Sequence, residues 1–418
     1  MITKSALSDI VEKQRSQRTP KGQNVERQIL PSVLRSFGDS RILVITGIRR
    51  CGKSTLLRQI MQKKGGCYVN FEDERFIEFG AQEFEKLNEV LTEVYGEQDV
   101  YFFDEIQNID KFELFVRRLQ DDGKKIVITG SNASLLSKEF GTRLTGRYKQ
   151  FELYPFSFRE FLAFRNVNPD KAWLQAACRK TELIKMFREY ERSGGMPEYL
   201  ENMDPDYIKT LYENIIYRDV IARYAIRKQK VVRELSNILA SNISSRFTYN
   251  SLRRSLNLSN AITAKEYVSH LGNSYLFFEL LRFDFSIKRQ LNMPRKIYAA
   301  DPAFRETGLT FTSDKGKILE NIVFMELKMR GKEAYYFSEK QECDFVIREK
   351  GRISEAIQVC FELNEKNRQR EIGGLTEAME KFNLSSGLIL TSEQDDEIAA
   401  GGRRISVVPA WKWLLGFK

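Results

Sequence analysis

Histidine is nearly absent: His270 is the only one in 418 residues. That argues against a histidine-built zinc centre and leaves any Ser–His–acid triad a single possible base. Cysteine is sparse and scattered, at Cys51, Cys67, Cys178, Cys343 and Cys360. An odd count with no CxxC pair excludes a disulfide framework from the expectation. There is no long apolar span and no signal-peptide pattern. A cytoplasmic protein with no membrane association is therefore expected.

What is present is ordinary apolar content, 42%, and abundant charge, 30%, with a net charge of +10 and a pI near 9.2. The length allows two to four domains. The basic balance fits a nucleic-acid partner, against the plainer reading of a soluble surface.

The most informative stretch runs from Arg41 to Arg58. Arg41 to Thr46 is a short apolar run that reads as a buried strand. Gly47, four residues, then Gly52-Lys53-Ser54 match the phosphate-binding loop pattern, and Thr55 to Lys63 continues at helical spacing. Glycines at 47 and 52 permit a loop whose N–H groups surround phosphate. The helix N-terminus, opening at Thr55, adds its positive dipole end. Lys53 is expected to reach the outer phosphates of ATP, and Ser54 to ligate Mg²⁺.

Val100 to Glu105 is an apolar strand ending in two carboxylates. Asp104 is the expected Mg²⁺ partner and Glu105 the general base that polarises water. Glu72, Asp73 and Glu74 follow the intervening strand at Gly66 to Phe71, where they lie near nucleotide or in a solvated loop. Lys125 to Gly130 is the next strand, and Ser131 and Asn132 at its tip are candidates to sense the terminal phosphate or merely to cap a helix. Arg147, with Arg143 second, is the candidate arginine finger, acting in its own subunit or a neighbour's.

These motifs resemble one family. Gly-Ile-Arg-Arg-Cys-Gly-Lys-Ser at 47–54, Phe-Phe-Asp-Glu-Ile-Gln-Asn at 102–108 and Thr-Gly-Ser-Asn-Ala-Ser-Leu-Leu-Ser at 129–137 are similar to bacterial and archaeal AAA-type ATPases that carry a C-terminal domain of unknown function (DUF4143). Leu-Thr-Gly-Arg at 144–147, Leu-Tyr-Pro-Phe-Ser-Phe-Arg-Glu-Phe at 153–161, Gly-Gly-Met-Pro-Glu-Tyr at 194–199 and Tyr-Arg-Asp-Val at 217–220 fit the same pattern. The resemblance implies an α/β P-loop NTPase (ASCE/AAA-type) parallel sheet, a helical lid, a winged helix and a restriction-endonuclease-like α/β domain. The expected boundaries are 1–156, 157–228, 229–312 and 313–418. It also implies that Gly195 and Pro197 border the adenine.

The winged helix is outlined by helices near 231–243 and 249–256, a third capped by Ser259 or Asn260, and wing strands at 275–283 and 287–298. The third helix has little basic character. Arg253, Arg254, Arg282, Lys288, Arg289, Arg295 and Lys296 sit on the flanks, which points to backbone rather than base recognition, or to a protein-docking face. In the nuclease-like part, Glu320 and Asp344 stand where metal-binding acids belong. The expected acid-x-Lys reads Gln358-Val359-Cys360, so the lysine is missing and an inactive nuclease is expected.

The expectation is thus an oligomeric ATPase coupled to DNA, with ATP and Mg²⁺ as cofactors. The rivals are a nucleotide-gated switch for a protein partner and an ATP-dependent DNA nuclease.

Overall fold

The computed structural model describes residues 2–16, 25–132, 146–170, 177–307 and 314–417. They fall into two compact units, one of Met1–Tyr154 with Asn273–Tyr275 and one of Pro155–Gly272 with Leu276–Lys418.

The first unit is built on a fully parallel sheet. Its strands are β1 (Ile42–Thr46), β2 (Cys67–Asn70), β3 (Val100–Asp104), β4 (Lys125–Gly130) and β5 (Tyr148–Glu152), in the order β2-β3-β4-β1-β5. Its main helices are α1 (Lys4–Ser16), α2 (Leu30–Arg35), α3 (Lys53–Lys64), α4 (Phe84–Tyr95) and α5 (Phe112–Asp121). The strands are continuous apolar runs because a parallel sheet is covered on both faces; every residue of β1 is buried. Phe71, Phe79, Phe84, Phe103 and Phe115 fill one side, with Phe84 and Phe115 stacked at 4.5 Å. Leu7, Ile10 and Val11 of α1 join that core, so the N-terminal helix is packed rather than loose. The order matters for chemistry. It inserts β4 between the strand that leads into the Gly47 loop and the strand that ends in Asp104. This is the α/β P-loop NTPase arrangement of the ASCE/AAA type.

The second unit begins with helices α6 (Phe158–Phe164), α7 (Ala177–Ser193), α8 (Pro197–Asn202) and α9 (Pro205–Asn214). After α9 the chain continues as a π-helical stretch at Ile215–Ala222. Next come α10 (Gln229–Ser241), β6 (Arg246–Phe247), α11 (Tyr249–Ser255), α12 (Ala261–Asn273), β7 (Phe277–Leu281), α13 (Ile287–Asn292) and β8 (Arg295–Ala299). Asn260 rather than Ser259 caps α12, its side chain accepting from Thr263 N–H at 2.9 Å. The strand expected from Ile287 is a helix for its first half. Ser286 accepts from Arg289 N–H and starts that helix, and Pro294 separates it from β8.

The rest is an added α/β sheet. Helix α14 (Lys315–Met329) precedes β9 (Glu333–Ser338), β10 (Glu342–Glu349) and β11 (Arg352–Val359). Then follow α15 (Arg368–Lys381), β12 (Ser386–Thr391), β13 (Asp396–Ala400), β14 (Arg403–Pro409) and α16 (Ala410–Leu414). The sheet order is β13-β14-β12-β11-β10-β9, with β11, β12 and β14 parallel and the edges antiparallel. All five cysteines are free thiols. No described helix is long and apolar enough to cross a membrane.

Candidate nucleotide site and a second charged cluster

The Gly47–Ser54 loop follows the carboxyl end of β1 and opens α3. Gly47 packs so tightly that a Cβ would lie 2.0 Å from the Leu153 carbonyl oxygen. Gly52, at φ +99°, holds a left-handed turn that favours glycine. The first helical bond of α3 runs from Leu56 N–H to Gly52 O (2.9 Å), so the N–H groups of Lys53, Ser54 and Thr55 precede the ladder. Lys53 is 5% exposed. Its ammonium donates to Gly47 O (3.1 Å) and Ile48 O (3.2 Å) and lies 3.5 Å from Glu105 Oε1.

Both acids lie at the carboxyl end of β3, where Glu105 meets that lysine. Asp104 is buried and accepts from the hydroxyls of Tyr68 (3.0 Å), Thr129 and Ser54. Burial, then the neighbouring Glu105 charge, push its carboxyl above the usual range. Burial is the largest single influence on Glu105 and pushes it up, but the Lys53 ammonium, the Gln107 amide and Arg49 together hold the group below its ordinary value. Glu105 has left-handed backbone (φ +51°), unusual for a non-glycine residue, and strain of this kind clusters at reactive sites. Its N–H is fixed by Thr129 Oγ1 at 3.0 Å. Thr129 therefore orients both acids. Sequence reading passed over it for Ser131 and Asn132, although a hydroxyl on the strand beside β3 was the available signal. The oxygen set of Ser54 and Asp104 suits Mg²⁺, a hard cation.

Ser131 and Asn132 are buried at the carboxyl end of β4, between the two motifs; Ser131 Oγ has no hydrogen-bond partner among the described residues. Glu72 pairs with Arg49 of the loop (2.9 Å), so the acids after β2 do approach the site. Arg147 does not. Ile42 N–H donates to its carbonyl (2.9 Å), which sets it beside the first residue of β1. That is about 16 Å from the loop at the usual strand rise. Its guanidinium pairs with Asp121 at 2.6 Å. Arg143 lies outside the described residues.

Tyr275 is an addition no motif announced. Buried and at φ +62°, it bonds through its hydroxyl to Thr46 Oγ1 (2.7 Å), the residue before the loop, and to Glu152 Oε1 (3.2 Å).

In the second unit, Pro197 opens α8. The two glycines before it are clamped. Gly195 N–H donates to Asp301 Oδ2 (2.7 Å), and a Cβ on Gly195 would lie 2.2 Å from Phe156 O. Asp301 is buried there, and burial pushes its carboxyl up to about 7.

The basic flank needs correction. Arg254, Lys288 and Arg289 are exposed, but Arg295 (7% exposed) and Lys296 (2%) are buried. The Lys296 ammonium lies 2.8 Å from each of Glu320 Oε1, Glu342 Oε1 and Asp344 Oδ1. Burial opposes its charge, yet the three carboxylates keep it protonated well above the usual lysine range. Tyr298 donates to Glu320 Oε1 (2.6 Å). Gln358 accepts from Asp344 N–H (3.2 Å) and donates to Glu371 (2.7 Å). The positive charge missing at Cys360 is thus supplied by β8. A metal does not fit these acids as they stand, because the ammonium already takes the oxygens that would face it. Among the described residues no group of three or more His, Cys, Asp or Glu side chains is arranged to hold a metal ion.

A five-stranded parallel sheet with a phosphate loop on one strand and paired acids two strands away defines an AAA-type P-loop ATPase. A family profile described as AAA domain matches residues 39–162, and one described as Domain of unknown function (DUF8612) matches 184–315. The chain is 36% identical over 400 residues to an uncharacterized protein of Methanocaldococcus jannaschii, covering 90% of this chain and 89% of that one, and it belongs to the same family. An uncharacterized protein of Haemophilus influenzae is 28% identical over 394 residues, 90% of this chain and 94% of that protein. Among solved structures, a Walker-type ATPase of Pyrococcus abyssi matches with a TM-score of 0.46 and 17% identity, over 69% of this chain and 99% of that one.

Proposed function

We propose that this chain hydrolyses ATP to ADP and phosphate and couples the cycle to binding or remodelling DNA as a homo-oligomer. One observation carries the hydrolytic reading: the Lys53 ammonium lies 3.5 Å from the Glu105 carboxylate, at the end of the sheet where Ser54 meets Asp104. Lys53 and the N–H groups that open α3 hold the phosphates and offset their charge. Glu105, kept ionised beside Lys53, takes a proton from the attacking water. Thr129 fixes the acids' orientation, and Asn132 stands at the strand tip to meet the terminal phosphate. Ser54 and Asp104 would hold Mg²⁺, which when bound offsets charge on the transferred phosphoryl group. Arg147, remote from its own loop, serves a neighbouring subunit.

For DNA the support is the net charge of +10 and a winged-helix outline in α10 to α12 with β7 and β8, whose exposed Arg254, Lys288 and Arg289 suit phosphate. The third helix exposes Lys265 beside Glu266, which favours backbone contact over base reading. We read the last domain as a degenerate restriction-endonuclease-like nuclease; the Lys296 ammonium among its acids supports this. A protein partner is the second reading, favoured by three exposed apolar side chains, Phe285 (75%), Ile287 (72%) and Leu291 (54%).

The test is the ATPase rate with and without single-stranded, duplex and branched DNA, over a salt series. Lys53→Ala should lose nucleotide binding. Glu105→Gln should bind but turn over roughly 10²–10⁴-fold more slowly. A sample that binds no adenine nucleotide, or is indifferent to both substitutions, ends the reading. ATPase insensitive to DNA with a co-purifying protein favours the second one.

A further inference from the structure

We infer that Arg27 is a positioning residue for nucleotide binding: its guanidinium holds the Cys51–Gly52 peptide so that the Gly52 N–H faces the phosphate side of the loop. This rests on the ATPase reading and names a residue that no motif covers.

Arg27 lies in the segment before α2 and is 3% exposed. One terminal nitrogen donates to Cys51 O at 2.7 Å and the other to Tyr154 O at 2.6 Å. A trans peptide is planar, and its C=O and N–H point in opposite directions. The Cys51 carbonyl is turned onto Arg27, so the Gly52 N–H is turned away from it. The N–H groups of Lys53 and Ser54 follow directly, before the first bond of the α3 ladder. The guanidinium is also seated against the back of Gly52: a Cβ there would lie 3.2 Å from it. Without that grip, the peptide between a left-handed Arg50 (φ +66°) and a left-handed Gly52 (φ +99°) has little to stop it flipping, which would present a carbonyl oxygen to phosphate instead of a donor.

The second grip fixes the same wall from the other side. Leu153 O is the atom that crowds Gly47, and it accepts from Cys51 Sγ at 3.4 Å. Tyr154 O follows it. One planar fork therefore ties the turn at Cys51 to the chain that leaves β5. A lysine, with a point charge on a flexible stem, lacks the planar fork that holds two carbonyls in fixed directions.

Arg27 has a separate structural anchor. Gln59, buried on α3, donates to Val25 O (2.8 Å) and accepts from Arg27 N–H (3.5 Å). This stitch holds the segment's backbone without touching Cys51, so it separates positioning from packing.

The experiment uses the full chain, a fluorescent ATP analogue titrated to a dissociation constant, steady-state ATPase kinetics and thermal unfolding. Arg27→Met is expected to weaken ATP and ADP binding about tenfold or more, with KM rising more than kcat falls. Arg27→Lys should recover part of the affinity. Gln59→Leu should lower the melting temperature yet leave affinity within about twofold. The inference is overturned if Arg27→Met binds like wild type, or if Gln59→Leu weakens binding as much as Arg27→Met. Should Arg27→Met not fold, Arg27→Lys decides: wild-type affinity in that variant also overturns it. Wild type that binds no nucleotide removes the ATPase reading itself, and this inference with it.

Discussion

Replacing Lys296 by methionine should be among the most damaging single changes in the second unit. The side chain is 2% exposed and its ammonium is 2.8 Å from three carboxylates. Methionine fills similar space but leaves Glu320 and Asp344 buried with no counter-charge; Glu342 keeps its pairing with Arg246. Breaking a buried pair from one side costs about 3–5 kcal/mol. For a unit of this size that is a fall of roughly 6–9 °C in melting temperature. The loss should depend on pH, and the sign follows from the acids. Burial and then Asp344 already push Glu320 up, and removing the lysine pushes it further. Carboxyls whose folded pKa exceeds the unfolded value of about 4 favour the folded state when protonated. The variant should therefore be closest to wild type near pH 5.5 and furthest from it near pH 8.5. Urea unfolding followed by tryptophan fluorescence suits the question, because Trp411 is buried in this unit. A deficit below about 1 kcal/mol, or one that does not change with pH, would refute the claim that this ammonium neutralises the cluster.

Arg147→Ala should cost less than about 1 kcal/mol of stability, since its pairing with Asp121 is exposed, while lowering ATPase by about 10³-fold in the assembled protein. Mixing it with Lys53→Ala subunits should restore turnover; no recovery argues against action on a neighbour. Asp301→Asn keeps one acceptor where two N–H groups, of Gly195 and Ala303, need one each, and should cost about 1–3 kcal/mol in unfolding experiments. Asp301 is held neutral up to about pH 7, so the wild-type advantage should shrink as pH rises from about 4 to about 7. Tyr275→Phe removes the hydroxyl bonded to Thr46 and Glu152 and should destabilise the first unit by about 1–2 kcal/mol, read as a lower urea midpoint.

The phosphate loop and the paired acids were legible because each is contiguous. Strand, turn chemistry and helix start lie within eighteen residues from Arg41 to Arg58, and Val100 to Glu105 carries its own apolar run and its own acids. Local backbone preference and hydrophobic period determine such pieces with little help from elsewhere. The strand from Ile287 misled for the converse reason: a short apolar and basic run has no strong period, so the Ser286 cap and Pro294 decided it.

By itself the sequence determined the chemistry of the first unit: a glycine-lined turn, an ammonium and two carboxylates at the ends of strands. Only the tertiary structure decided who stands beside them. Thr129 reaches Asp104 from the next strand, and Tyr275 reaches Thr46 from 229 residues away. Lys296, which reads as one more surface lysine, becomes the cation of an acidic cluster because β8 carries it beside α14 and β10. Pairings of this kind come from segments far apart in the chain, and the free energy of a buried charge depends on those partners rather than on its sequence neighbours.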